Sequence, residues 1–186
     1  MRAVLQRVTA SSVLIDGREC GAIGAGLMIL LGVGKGDSEG DARWLADRCA
    51  RLRIFEDEQG RMNRSLLDVR GGALVVSQFT LYADTSRGLR PGFEPAELPN
   101  RAQPLYERFV QELRTAGVET QTGRFGAAMR VRIENDGPVT IVLDTAGRGL
   151  KSGEKSDSRE QKLEMRNSDA GPGLLPTATD PGHGHE

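Results

Sequence analysis

Ser77-Gln78-Phe79-Thr80 places two hydroxyls and a primary amide at the end of an apolar run, Ala73 to Phe79. Donors gathered at a strand end can stabilise the negative charge that grows on a carbonyl oxygen under attack. The same residues would also suit a sheet edge whose hydroxyls are satisfied by neighbours. A Ser or Thr nucleophile needs a base beside it. The only histidines of the 186-residue chain are His183 and His185, at its C-terminal end. If that end is separate from the fold, the rest of the chain has no imidazole for a Ser–His or Cys–His pair, and none to hold zinc. A second candidate is Asn135-Asp136-Gly137-Pro138-Val139-Thr140. Gly-Pro there reads first as a turn. An X-Pro bond can also be cis at little cost, and a cis bond aims two successive carbonyls the same way, as an acceptor fork or a steric gate.

Other chemistry falls away on inspection. Gly32-Val33-Gly34-Lys35-Gly36-Asp37 lacks the four-residue spacing and Lys-Ser/Thr of a nucleotide loop, and reads as a flexible strand-to-helix turn. Cys49 sits on the apolar face of a helical pattern and reads as a structural thiol. Glu56, Asp57 and Glu58 fall in a turn and read as solvated. No spaced pair of acids suggests glycosidase chemistry.

The elements that must carry these residues follow from periodicity. Arg2 to Val8 alternates as a strand. Ser12–Ile15 and Arg18–Ile23 flank Asp16-Gly17, a type I′ hairpin signal. Gly26 to Val33 reads as a buried strand. In 38–52, Leu45, Cys49 and Leu52 share a helical face with Ala42 and Trp44 beside it, and Asp37 or Ser38 can cap the start. Arg53 to Phe55 reads as a short strand, Asp57-Glu58-Gln59-Gly60 as a turn, and Ala73 to Phe79 as a central strand. Residues 85–99 form a long loop. A second helix spans about Arg101 to Thr115 and is ended by Gly117. Strands follow at Glu119–Gln121, Met129–Glu134 and Thr140–Leu143. The pattern is α/β without the strict alternation of a doubly wound sheet.

Residues 146–186 stand apart. They hold 8 apolar residues among 41, with 13 charges, and cannot bury enough area to offset chain entropy. A disordered tail is expected there, following a single domain at 1–145. That domain carries 19 basic and 19 acidic residues. Its zero net charge argues against wrapping a long nucleic-acid backbone, but leaves room to grip one end of an RNA. The N-terminus lacks a signal-peptide core, and the longest apolar run, Ala22 to Val33, is too short and Gly-rich to span a bilayer. With Cys20 and Cys49 the only cysteines, a reduced cytoplasmic protein is expected.

Ser77-Gln78-Phe79-Thr80-Leu81-Tyr82-Ala83-Asp84 and Asn135-Asp136-Gly137-Pro138-Val139-Thr140 together resemble the two signature motifs of D-aminoacyl-tRNA deacylases. Arg2-Ala3-Val4-Leu5-Gln6-Arg7-Val8, Met62-Asn63, Gly123-Arg124-Phe125-Gly126-Ala127 and Met129 agree with that family, over residues 1 to about 145. The resemblance implies mixed, largely antiparallel sheets curled toward a barrel with two main flanking helices, in a single domain that works as a cytoplasmic homodimer. It implies hydrolysis of the ester between a D-amino acid, or mischarged glycine, and the 3′ end of a tRNA. No cofactor, metal, membrane or DNA enters. Gly137-Pro138 corresponds to a Gly–cis-Pro motif that reaches into the partner's site and rejects L side chains. Arg7 corresponds to the residue that holds this motif. Met129 joins the substrate-binding set, and Ser77, Gln78, Phe79 and Thr80 form the catalytic pocket. Gly92 stands where the family commonly carries Ser. With no core imidazole, substrate assistance by the terminal 2′-hydroxyl is favoured over a Thr80 nucleophile. Two other readings stay open: a catalytically silent tRNA-end-binding or protein-binding dimer of the same fold, and a hydrolase of small D-aminoacyl esters.

Overall fold

One long strand organises the sheet. In the computed structural model, which describes residues 1–147, β1 runs unbroken from Arg2 to Ile15. One edge pairs antiparallel with β8 (Arg130–Asp144). The other edge is shared between two antiparallel partners, β3 (Gly26–Gly32) along its first half and β2 (Arg18–Ile23) along its second. The sheet continues in parallel from β3 to β6 (Gly72–Ser77) and on to β7 (Thr120–Thr122). β2 bends back over β6 and β7, so the six-stranded sheet nearly closes into a barrel. A small hairpin of β4 (Phe55–Glu56) and β5 (Met62–Arg64) stands apart from it.

Local chemistry explains the element ends. The β1–β2 hairpin turns at Asp16 and Gly17, with φ of 50° and 77°, the two positive values a type I′ turn needs. Helix α1 (Glu39–Arg51) starts at Ser38, whose hydroxyl and backbone exchange bonds with Asp41 in a capping box. It buries Ala42, Leu45, Ala46, Cys49 and Ala50. A one-turn helix, α2 (Leu66–Val69), is capped the same way by Ser65 and Asp68. Helix α3 (Pro99–Thr115) opens on proline, which gives up an N–H that would be unpaired there anyway. α1 and α3 pack together over one face of the sheet, around Phe109, Leu113, Leu45 and Ile29.

Two expected elements differ. The strands expected at 129–134 and 140–143, with a turn between, are one continuous β8. It keeps its pairing with β1 by bulging: Gln6 faces Thr140 while Val8 faces Asn135. Two steps on β1 thus span five on β8, and residues 136–139 are pushed off the ladder. The strand expected to reach Phe79 stops at Ser77. Leu31 is its last partner on β3, and Gln78 closes that ladder with an N–H bond of 2.8 Å to Leu31 O. Phe79–Tyr82 then winds into a 3₁₀ turn. The alternation expected along 77–80 therefore does not hold. The expected tail at 146–186, His183 and His185 included, lies almost wholly outside the described residues. Among the described residues, no helix is long and apolar enough to cross a membrane.

Candidate active site

The 3₁₀ turn that presents Phe79 and Thr80 rests on a flat place in the sheet made by two alternating glycines. A Cβ on Gly32 would lie 2.9 Å from Gln78 O and 3.2 Å from Leu81 Cβ. One on Gly34 would lie 2.6 Å from the Tyr82 ring. The Gly32-x-Gly34 spacing, expected to be a flexible connection, is instead a buried seat for the turn. Arg2 fixes it from the far side. Its Nη1 donates to Leu81 O at 2.6 Å, its Nε donates to Asp144 Oδ2 at 2.9 Å, and its guanidinium lies 4.8 Å from the Tyr82 ring centre. The Tyr82 hydroxyl donates to Asp37 at 3.4 Å, and Asp37 also pairs with the Met1 ammonium. Burial, with the negative charges of Asp37 and Asp144 nearby, pushes the Tyr82 hydroxyl well above its ordinary range.

A cavity of about 600 Å³ opens beside this turn. Ser77, Gln78 and Phe79 line it, with Met129, Phe125 and Leu98 among the facing residues. Gly123 makes room for the Met129 thioether. Gln78 Nε2 donates to Thr80 Oγ1, so this hydroxyl accepts from an amide, and among the described residues no base is bonded to it. Thr80 itself is exposed at the rim. The rings of Phe79 and Phe93 meet edge to face there, 5.0 Å apart. Cys49 is fully buried in the core, away from the cavity lining, and burial drives its thiol upward, which keeps it protonated.

Gly137 and Pro138, joined by a cis peptide bond, are exposed at the crest of the β8 bulge. Asn135 ties the bulge at its base, donating from Nδ2 to Arg7 O at 2.9 Å and to Val139 O at 3.2 Å. Arg7 lies beneath, 5 % exposed. Its Nη1 donates to Ile54 O at 2.8 Å, and Nη2 stands 3.6 Å from Glu56. Its Nε is 2.8 Å from Asp136 Oδ2, yet the N–H is not aimed at that oxygen. This contact is a charge pair rather than a formed hydrogen bond. Glu56, expected to be merely solvated, is thus part of the Arg7 cradle. The Asp57 carboxylate beside it is held low by N–H bonds from Arg61 and Gln59.

One protomer does not bring the two motifs together. Neither Gly137 nor Pro138 lines the cavity. Arg7 is level with Leu27 and Ala73 across the sheet, whereas Ser77 is level with Leu31 and Ala3. Four strand residues and two strand spacings separate Arg7 from Ser77, and β8, which carries Gly137, lies one spacing further, so the motifs stand roughly 20 Å apart. Following β8 gives the same answer: Val131 lines the cavity, and six further residues reach Gly137, roughly 20 Å along an extended chain.

Three residues matter here to which the sequence assigned no individual role. Arg2 and Asn135 act across 79 and 128 positions, which no local pattern records. Phe93 lay in an expected loop. Arg7 did leave a signal beyond the family motif: it shares strand parity with Ala3 and Leu5, both fully buried, so a charged side chain was pointed at the core.

Comparison with known proteins supplies the class. The family model described as D-Tyr-tRNA(Tyr) deacylase matches residues 4–144. A D-aminoacyl-tRNA deacylase of Roseiflexus sp. (strain RS-1) is 63% identical over 146 residues, covering 78% of this chain and 94% of its own. The solved structure of a c-Myc DNA unwinding element binding protein superposes with a TM-score of 0.73 at 39% identity, covering 77% of this chain and 98% of that one. A probable eukaryotic D-amino acid tRNA deacylase shares the fold at a TM-score of 0.67 and 20% identity, over 77% of this chain and 98% of its own. A nearly closed barrel with this cavity and these relatives is a carboxylic ester hydrolase. Both signature segments fall inside the matched span. The chain belongs to the D-Tyr-tRNA(Tyr) deacylase family, whose curated members carry the name D-aminoacyl-tRNA deacylase.

Proposed function

We propose that this chain hydrolyses the ester between a D-amino acid and the 3′-terminal adenosine of a tRNA, and that it does so as a homodimer with composite sites. The carrying observation is the separation of roughly 20 Å between Gly137-Pro138 and the Ser77–Thr80 cavity of the same protomer. Two motifs of one active site that cannot meet within a chain meet between chains. The open edge of β8 supports this reading. Among the described residues β8 pairs only with β1, and Ile133 and Val142 stand 39% and 62% exposed on it. A long strand edge carrying exposed apolar side chains favours association.

In this reading the partner's Gly137-Pro138 carbonyls accept from the substrate ammonium and leave no space for an L side chain. Selection is rejection by rigid backbone, which explains why glycine passes. Arg7 and Asn135 hold the fork. Ser77, Gln78, Phe79 and Thr80 face the scissile carbonyl with amide and hydroxyl donors. A water oxygen bonds to the carbonyl carbon, the bond to the ribose oxygen breaks, and that oxygen leaves with a proton. The 2′-hydroxyl of the substrate assists the water, because Thr80 has no base to activate it. Met129 and Phe125 bound the terminal nucleoside. The catalytic domain ends near residue 145, where Thr145 N–H bonds Met1 O at 2.9 Å. Such an enzyme works in the cytoplasm, where tRNA is charged.

The test is deacylation of matched D- and L-aminoacyl-tRNA. Hydrolysis of the D ester with the L ester near its spontaneous rate is expected. Equal rates on both would refute the gate.

A further inference from the structure

The catalytic domain has no net charge, so a grip on RNA has to be local. The segment that follows the 3₁₀ turn supplies one. Asp84 and Gly92 exchange two backbone bonds of 2.8 Å, closing a nine-residue loop at its base. The loop leaves directly from the turn that carries Thr80. It returns through Phe93, whose ring abuts Phe79 at the cavity rim. It is therefore fastened to the mouth of the site at both ends. Arg87 and Arg90 stand on it, both exposed, on either side of the fully exposed Leu89. Arginines that support the fold are occupied: Arg2 has Asp144, Arg7 has Asp136, Arg51 has Asp47 and Arg108 has Glu112, while Arg53, Arg64 and Arg114 donate to backbone carbonyls. Arg87 and Arg90 have no ion-pair or hydrogen-bond partner among the described residues. Asp84 and Glu94 line the same hollow of about 550 Å³ as the two arginines without pairing with either. One Asp84 oxygen is occupied by Ser86 N–H at 2.9 Å. Exposed Lys35 adds a third cation beside the loop's return, its backbone N–H bonded to Pro95 O at 3.0 Å.

We propose that the 84–92 loop is the phosphate clamp of the site: Arg87 and Arg90 engage the backbone phosphates of the tRNA's single-stranded acceptor end while its terminal ester lies in the cavity. This deepens the deacylase reading and rests on it. Two fork-shaped cations on a braced loop suit consecutive phosphates and read no sequence. They also explain how an electrically neutral domain selects a long anionic substrate.

The test compares two substrates, D-aminoacyl-tRNA and the D-aminoacyl ester of adenosine alone, in wild type and in the double variant Arg87→Gln/Arg90→Gln. On the tRNA, kcat/KM should fall about tenfold. Its log–log salt dependence between about 50 and 200 mM should flatten by about 1.4, the value for two contacts to a single strand. On the adenosine ester, which carries no phosphate, the variant should match wild type within about twofold. Equal activity on the tRNA would overturn the clamp, and an equal fall on both substrates would reduce the loop to a structural support. If wild type cleaves neither ester, the deacylase reading falls first, and the clamp with it.

Discussion

Gly137→Ala tests the fork where its geometry is tightest. Gly137 has φ of +114°, a backbone region that side chains of L residues rarely enter. Holding alanine there costs on the order of 1–3 kcal/mol. Crowding adds to it. The new Cβ would lie 2.7 Å from Val139 Cγ2 and 3.1 Å from both Arg7 Nη2 and Val139 N. Val139 is 7% exposed and β-branched, so it escapes only by leaving its preferred rotamer, at about 0.5–1.5 kcal/mol. Arg7 is pinned by Ile54 and Asp136 and yields little. Together these give roughly 2–4 kcal/mol, or a fall in Tm of about 6–12 °C for a domain of this size. Gly60→Ala is the control. Gly60 has φ of 73° but nothing within 4 Å of an added Cβ. It shares the backbone strain without the crowding and lies outside the site. Calorimetry gives the melting shift, and single-turnover deacylation well below the melting range gives the ratio of D to L rates. Gly137→Ala should lose both stability and discrimination, whereas Gly60→Ala should lose only some stability. A Gly137→Ala protein that melts within a degree or so of wild type, or one that keeps its D/L ratio while destabilised, would refute the reasoning.

Three further outcomes are expected. Thr80→Ala should retain substantial single-turnover deacylation of D-aminoacyl-tRNA, because its hydroxyl has an amide donor and no base; a drop to the spontaneous rate in a folded variant would restore Thr80 as nucleophile. Gly34→Ala drives a methyl to 2.6 Å from the Tyr82 ring and should lift the 3₁₀ turn, cutting kcat by roughly tenfold or more with KM for the tRNA little changed; an unchanged kcat would mean that the turn does not depend on its glycine seat. Burial pushes the Tyr106 hydroxyl up to about 12, and it donates to Val75 O at 2.9 Å. The folded state therefore favours the neutral form, so this contribution is complete below about pH 10 and is lost as pH rises toward 12. Denaturant unfolding between those limits should show wild type losing stability more steeply than Tyr106→Phe, and parallel curves would exclude that role for the hydroxyl.

Much of the frame was legible because local chemistry decides it. Period and capping fix α1, including the choice of Ser38 as cap, and Asp16-Gly17 fixes the hairpin. What escaped was decided at a distance. Nothing local says that β8 resumes its pairing at Thr140 after leaving it at Asn135, since that depends on β1 offering a second run of partners beyond the bulge. Nor does the run from Ala73 to Phe79 reveal its end at Ser77, which is set by where β3 stops offering carbonyls. The short strand expected at Arg53–Phe55 lies slightly later, as β4, while β5 and the single-turn α2 are too short for any period to show. At the site, the residue types in both motifs were visible, but the supporting roles of Arg2 and Asn135 were not. Each acts on backbone carbonyls brought near by pairing, and a carbonyl has no residue type to betray it.

That last point reaches further than reading strategy. In the proposed reading the working parts of this site are largely main chain: a fork of carbonyls at Gly137-Pro138, a turn of amides at Phe79–Thr80, and two glycines that let the turn lie flat. Main-chain groups cannot be tuned by pKa, so their precision has to come from what surrounds them. The structure accordingly sets arginines to support them, one buried and one half-buried. Arg7 lies under the fork and Arg2 behind the turn, each bonded to a backbone oxygen and paired with a carboxylate. An imidazole in such a site would add a general base that accelerates hydrolysis of any ester able to enter. Without one, the proposed chemistry falls to the substrate's own hydroxyl and to exact placement, and a misplaced L ester would gain nothing by entering. Under the proposed mechanism, the lack of histidine before residue 183 would serve selectivity, because rejection by backbone geometry discriminates only where position, and not a side-chain base, sets the rate.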